Sequence, residues 1–176
     1  MQTLRMDLLP EKRKGFEPLK AGLSNRKEIS NIISDFKLFE DLTGEQIVEL
    51  SWHVHGYQLA EGVTVFEEGE PGSFLCLIAE GQVEIVGHGQ DGTPHRLVLM
   101  GKGKTVGEMS IIDHELRSAS CITTQPTTLL ILTEESYTEI VRKHPPLALA
   151  IVTKLAKHMS QRLRGVSGQL VDSLAH

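Results

Sequence analysis

Between His53 and Leu132 the chain is cut into short segments, each closed by glycine or a turn pair. The segments are His53–Ala60, Val63–Glu67, Phe74–Ala79, Gln82–Val86, Arg96–Met100, Ala119–Thr123 and Thr128–Leu132. The breaks fall at Glu61-Gly62, Glu68-Gly-Glu-Pro-Gly72, Glu80-Gly81 and Gly89-Gln-Asp-Gly92. Strand-length runs recurring at about 8–12 residues with glycine turns leave little room for helices and predict an antiparallel β-barrel or sandwich. The Gln90–Thr93 stretch reads as a hairpin tip. Aromatics make up only 5% of the 176 residues, so the core must be built from Val, Ile, Leu, Ala and Met.

Helical periodicity appears on both sides of this region. From Glu28 to Phe39 the apolar positions Ile29, Ile32, Ile33 and Phe36 share one helical face. Thr43 then stands as an N-cap, with Gln46 at the capping-box position. After Thr133, Glu134–Arg142 forms a short helix, and His144-Pro-Pro146 breaks it. A long helix follows from about Leu147, with the stripe Ala148, Val152, Leu155, Met159 and Leu163. That stripe either packs on the chain's own barrel or forms the seam of a homodimer. Residues 1–28 show no sustained period and contain Pro10, Gly15, Pro18 and Gly22, so they read as a loose arm preceding one domain at 29–176.

Net charge is -5 and unevenly spread. Seven Lys/Arg face four Asp/Glu through Glu28, and eleven face nineteen thereafter. An acidic body is a poor general binder of nucleic acid. No apolar run is long enough to span a membrane, and the N-terminal apolar stretches are too short for a signal peptide. Cys76 and Cys121 lie in apolar runs without metal-ligand spacing, as expected of buried thiols in a cytoplasmic protein.

Three chemical patterns fail on inspection. Gly103-Lys104-Thr105 would end a P-loop, but Val98 stands where its first glycine belongs. His114-Glu115 would open an HExxH zinc motif, but Ser118 replaces the second histidine. His53 and His55 share the face of a strand with no third ligand at useful spacing, so no metal site is expected. No nucleophile–base set emerges either, which argues against an enzyme.

The segment Gly107–Ser120 carries more. Gly107 permits a tight turn into a short helix, followed by Arg117 and small residues. A helix N-terminus and an arginine fork suit a phosphate. Glu108 beside them requires a donor, which a sugar hydroxyl would supply. Anion, hydroxyl and apolar barrel wall together describe a nucleotide.

Here the sequence resembles the cyclic nucleotide-binding domain found in the catabolite activator protein and in regulatory subunits of cyclic-AMP-dependent kinase. The phosphate-binding cassette of that family is matched by Gly107-Glu108-Met109-Ser110 and by Arg117-Ser118-Ala119. Gly69-Glu-Pro-Gly72, Leu75, Ile78 and Gly81-Gln-Val-Glu-Ile85 are similar to the family's first hairpin, and Phe39-Glu-Asp-Leu42 to its leading helix. The resemblance covers about residues 30–165. It implies an antiparallel β-roll with N-terminal helices and a long C-terminal helix that acts as a lid. By the same resemblance, Glu108 binds the ribose 2′-hydroxyl and Arg117 the exocyclic phosphate, while backbone around Gly107, Met109, Ser110, Ser118 and Ala119 completes the cradle. Ile85 and Leu97 pack on the base, and Gln161, Arg162 and Arg164 lie where the family caps it. Cyclic AMP is expected over cyclic GMP; Ser118 lacks the Thr often seen in cyclic-GMP sites and says nothing more on that choice. Apart from that ligand no cofactor is implied.

There are departures. Cys76 and Leu77 stand where the family often has an aromatic, and Leu116 replaces the cassette's common proline. His176 comes too soon after the long helix for the winged helix of the transcription factors, and a second cassette is missing, so output is expected through a partner protein. The alternative is an interaction module that keeps the fold without the ligand, with Glu108 and Arg117 as a structural ion pair.

Overall fold

The computed structural model describes residues 10–19, 23–89 and 91–174, with the side chains of residue 11, residues 23–25 and residues 168–174 left aside. After a 3-10 turn at Pro10–Lys12 and a two-residue strand at Glu17–Pro18 come two helices, α1 (Leu23–Ser34) and α2 (Gly44–His53), separated by a 3-10 turn at Lys37–Phe39. The capping box forms as expected: Gln46 N–H donates to Thr43 Oγ1 and Thr43 N–H to Gln46 Oε1. Because this box starts a helix at Gly44, the helix runs through His53, and the strand begins only at Val54. His53 and His55 therefore do not share a strand face.

The strands are β1 (Glu17–Pro18), β2 (Val54–Leu59), β3 (Thr64–Phe66), β4 (Phe74–Glu80), β5 (Gln82–His88), β6 (Pro94–Gly101), β7 (Thr105–Val106), β8 (Ser120–Thr123) and β9 (Thr127–Thr133). They form two antiparallel sheets, ordered β1-β2-β9-β4-β7 and β3-β8-β5-β6. The β5–β6 hairpin closes through Gly89 and Thr93, and Gln90 at its tip lies outside the described residues. After β7 comes the five-residue α3 (Met109–Asp113), and after β9 come α4 (Glu134–Lys143) and α5 (Pro145–Leu174).

β4 and β9 read in sequence as almost unbroken apolar runs because both of their faces are covered. Phe74, Cys76 and Ile78 point between the sheets, where they meet Val65, Val83, Cys121 and Ile131. The alternate residues Leu75 and Leu77 point outward and meet Leu130, Ile33, Phe36, Leu50, Ile140, Ile151 and Leu155. One core thus fills the roll, and a second fastens α1, α2, α4 and the first half of α5 to its five-stranded sheet.

Residues 10–19, read from sequence as part of a loose arm, pack against the roll. Phe16 is buried, its ring edge-on to Tyr57 with centroids 5.6 Å apart. Glu17 and Pro18 pair with Gln58 and Tyr57, and Arg13 donates to Val65 O at 3.0 Å and to Glu70 at 2.5 Å. One aromatic and a two-residue pairing are too short to leave a period in the sequence. Residues 1–9 and 20–22 of that stretch lie outside the described residues.

Candidate functional site

Two glycine-rich turns make one structure at the end of the roll. Arg117 N–H donates to Glu70 O at 2.9 Å, and Gly69 N–H donates to Arg117 O at 2.8 Å. This pins the stretch after α3 to the Gly69–Gly72 turn. Gly107 has φ +76, and a Cβ there would stand 2.5 Å from Arg117 Nη1. A Cβ on Gly72 would fall 2.1 Å from Ser110 Oγ. Gly107 therefore answers to both space and turn geometry, and Gly72 to space.

Arg117 is 4% exposed. Its Nη1 donates to Gly107 O at 2.8 Å and to Ser110 Oγ at 2.7 Å, and its Nη2 donates to Phe74 O at 2.6 Å. The guanidinium carbon lies 4.2 Å from the Phe66 ring centroid and 4.8 Å from that of Phe74. Two aromatic faces thus offset part of the cost of burying the charge. Burial still lowers its pKa from the usual value, although an arginine remains charged. Among the described residues, Nε has no hydrogen-bond partner.

Glu108 is 2% exposed and pairs with Arg162 of α5, Nη1 to Oε1, at 2.5 Å. Its second oxygen, Oε2, is buried without a partner among the described residues. Burial pushes the carboxyl pKa up, and Arg162 opposes this. Arg162 also donates through Nη2 to Thr105 O at 2.6 Å, and Thr105 Oγ1 lies 3.5 Å from His158 Nδ1. Burial, then Arg162 and Lys104, depresses the His158 imidazole. The partner of Glu108 is Arg162 rather than Arg117, so a Glu108–Arg117 structural pair does not form.

These residues surround a cavity of about 880 Å³ between the cassette, the β5–β6 hairpin and α5. Gly107, Glu108, Met109, Ser110, Arg117, Ser118 and Ala119 all line it, and so do Ile85 and Leu97 on the hairpin. Ile85 is held in place by pairing with Cys121 on one side and Val98 on the other. Of the three helix residues, only Arg162 reaches the cavity. His158, Gly165 and Val166 join it there, while Gln161 and Arg164 are exposed and do not line it. Successive helical residues turn by roughly 100°, so Arg162 shares a face with 158 and 166, and Gln161 and Arg164 point elsewhere.

Sequence reasoning also missed Phe66, Met100, Lys104 and Val106. Lys104 follows the turn glycine Gly103, and nothing local in the sequence places it beside the cavity. Chemically, the cavity offers one buried cation, one buried carboxylate with a free acceptor, and apolar walls at Ile85, Met100 and Val166.

A family model described as "Cyclic nucleotide-binding domain" matches residues 57–144, half of the chain. The Cyclic AMP receptor protein of Thermus thermophilus is 31% identical over 70% of this chain and 57% of its own length. A CRP-like cAMP-activated global transcriptional regulator of Mycobacterium tuberculosis is 27% identical over 82% of this chain and 62% of its own. The chain thus spans about three fifths of the length of these curated relatives. Among solved structures, a cyclic nucleotide-binding domain from Methylobacillus flagellatus superposes with a TM-score of 0.79 at 26% identity, covering 90% of this chain and 89% of that one.

Proposed function

Since the chain belongs to the cyclic nucleotide-binding domain family, we propose that its cavity takes a 3′,5′-cyclic nucleotide, cyclic AMP ahead of cyclic GMP, as the ligand of a non-catalytic sensor. One observation carries this reading. Glu108 and Arg117 both line the cavity, and each keeps one buried polar atom unpartnered among the described residues. A ribose hydroxyl would donate to Glu108 Oε2, and a phosphate oxygen would accept from Arg117 Nε. Ile85, Leu97 and Met100 would face the base. The names of the two curated relatives support the choice of cyclic AMP.

The signal would leave along α5, which touches the cavity through His158 and Arg162. A ligand shifts the position of that helix only by its difference in affinity for the two states. The outer half of α5 carries exposed Leu163 and Val166, which suit an effector protein or a second copy of the chain. No helix among the described residues is long and apolar enough to cross a membrane. Both cysteines are buried free thiols, which fits a cytoplasmic setting.

A second reading, an interaction module without ligand, has its own support: both terminal nitrogens of Arg117 already have protein acceptors, and Arg162 already holds Glu108. Calorimetry with cyclic AMP and cyclic GMP separates the two. We expect cyclic AMP to bind at roughly micromolar Kd or better and to raise Tm by mass action. Arg117→Ala should cost on the order of 2–5 kcal/mol of binding. Absence of both heat and thermal shift at millimolar concentrations of either nucleotide would select the second reading.

A further inference from the structure

Outside the cavity, three metal-ligating side chains converge where α2 meets the joint between α4 and α5. Glu49 and His53 lie one helical turn apart on α2. His144 is the residue between α4 and α5. Glu49 Oε1 stands 3.2 Å from His53 Nε2 and 3.0 Å from His144 Nε2. The three ligand atoms all lie within 4.8 Å of one another. From this geometry we infer a divalent transition-metal site of the Zn2+ class, held by Glu49, His53 and His144.

The donor set is two imidazole nitrogens and one carboxylate oxygen, which suits Zn2+ and its neighbours rather than Ca2+ or Mg2+. A tetrahedral ion with bonds of roughly 2.0–2.1 Å keeps its ligand atoms roughly 3.3 Å apart. Two of the three edges are already close to that length. The fourth position is left for water.

The ligands are held before any ion arrives. His53 is buried, and its other ring nitrogen, Nδ1, lies 3.8 Å from Glu139 Oε2 on α4. That separation is beyond hydrogen-bond reach, so the burial of the ring, rather than Glu139, is what limits its movement. His144 is pinned through its backbone: its N–H donates to Ile140 O at 2.7 Å, and its carbonyl accepts from Leu147 and Ala148. Pro145 follows with its φ fixed by the ring. Two ligands on one helix face and a third on a rigid corner need little ordering to close on an ion. The sequence showed only His53 with His55, and the third ligand lies beyond the whole barrel. A bound ion ties α2 to the root of α5, the helix that carries His158 and Arg162 to the cavity.

The test uses the untagged full chain. Co2+ is titrated into it and followed by its visible d–d absorption, and Zn2+ is then added as competitor. The expected result is one Co2+ per chain, displaced by Zn2+, with a Zn2+-dependent rise in Tm that a chelator reverses. His144→Ala and Glu49→Gln should each weaken uptake by about tenfold or more. Neither residue belongs to the cores, and two variants guard against one of them failing to fold. No uptake by the wild type, or uptake equal in wild type and both folded variants, overturns the site and leaves a hydrogen-bonded His–Glu–His bridge. Nucleotide binding enters none of these readouts, so the result stands apart from the sensor reading.

Discussion

Glu108 shows at residue scale how a proposed binding group is held at a cost to the fold. Burial raises its pKa above the ordinary 4.5, so the folded chain disfavours the carboxylate more than the unfolded chain does. Stability therefore falls as pH climbs from the ordinary carboxylate range through the raised value, and the penalty is absent below that range. Glu108→Gln removes the charge while keeping the shape. At neutral pH the ligand-free variant should be more stable than the wild type, and near pH 4 the two should melt alike. The same variant should bind cyclic AMP more weakly. Thermal melts at both pH values check this, and a variant less stable than wild type at neutral pH would refute it. That Glu108 and Arg117 line one cavity was legible from the cassette pattern. Their partners were not, because Arg162 lies 54 positions from Glu108, and Phe74 lies 43 positions from Arg117.

Among the elements, α5 divides along its length. Its predicted stripe begins as core and ends in solvent: Leu155 is 2% exposed and packs in the helix-side cluster, whereas Leu163 is 68% exposed. The two leucines are eight residues apart on one face, so periodicity treats them alike. Only the extent of the sheet beneath them tells them apart. Leu155→Ala should therefore cost about 2–5 kcal/mol of folding stability. Leu163→Ala should stay within about 0.5 kcal/mol. Urea unfolding measures both, and equal losses would show that the whole stripe is core or covered by another copy. Other elements were legible locally. The Thr43 capping box started α2, and Thr133 accepts from Ser136 N–H at the start of α4 in the same manner.

Considered as a whole molecule, the chain sets a net charge of -5 against any polyanion. DNA affinity rests on clustered cations that release counterions. A duplex is expected to bind weakly, if at all, and to be released by about 0.15 M salt. A sequence-specific complex that persists at that salt in a mobility-shift assay would contradict this. By itself the sequence determined what depends on neighbours in the chain: the glycine turns, the two-faced apolar runs of β4 and β9, the helix caps, and the cassette residues within one short segment. The tertiary structure alone decided the order of strands in the two sheets, the folding-back of residues 10–19, the pairing of Arg162 rather than Gln161 or Arg164 with the cavity, and the meeting of His53 with His144. Each of these turns on which faces of distant elements come together. A difference of one residue on a helix turns a side chain by roughly 100°, and no local pattern records the element it then meets.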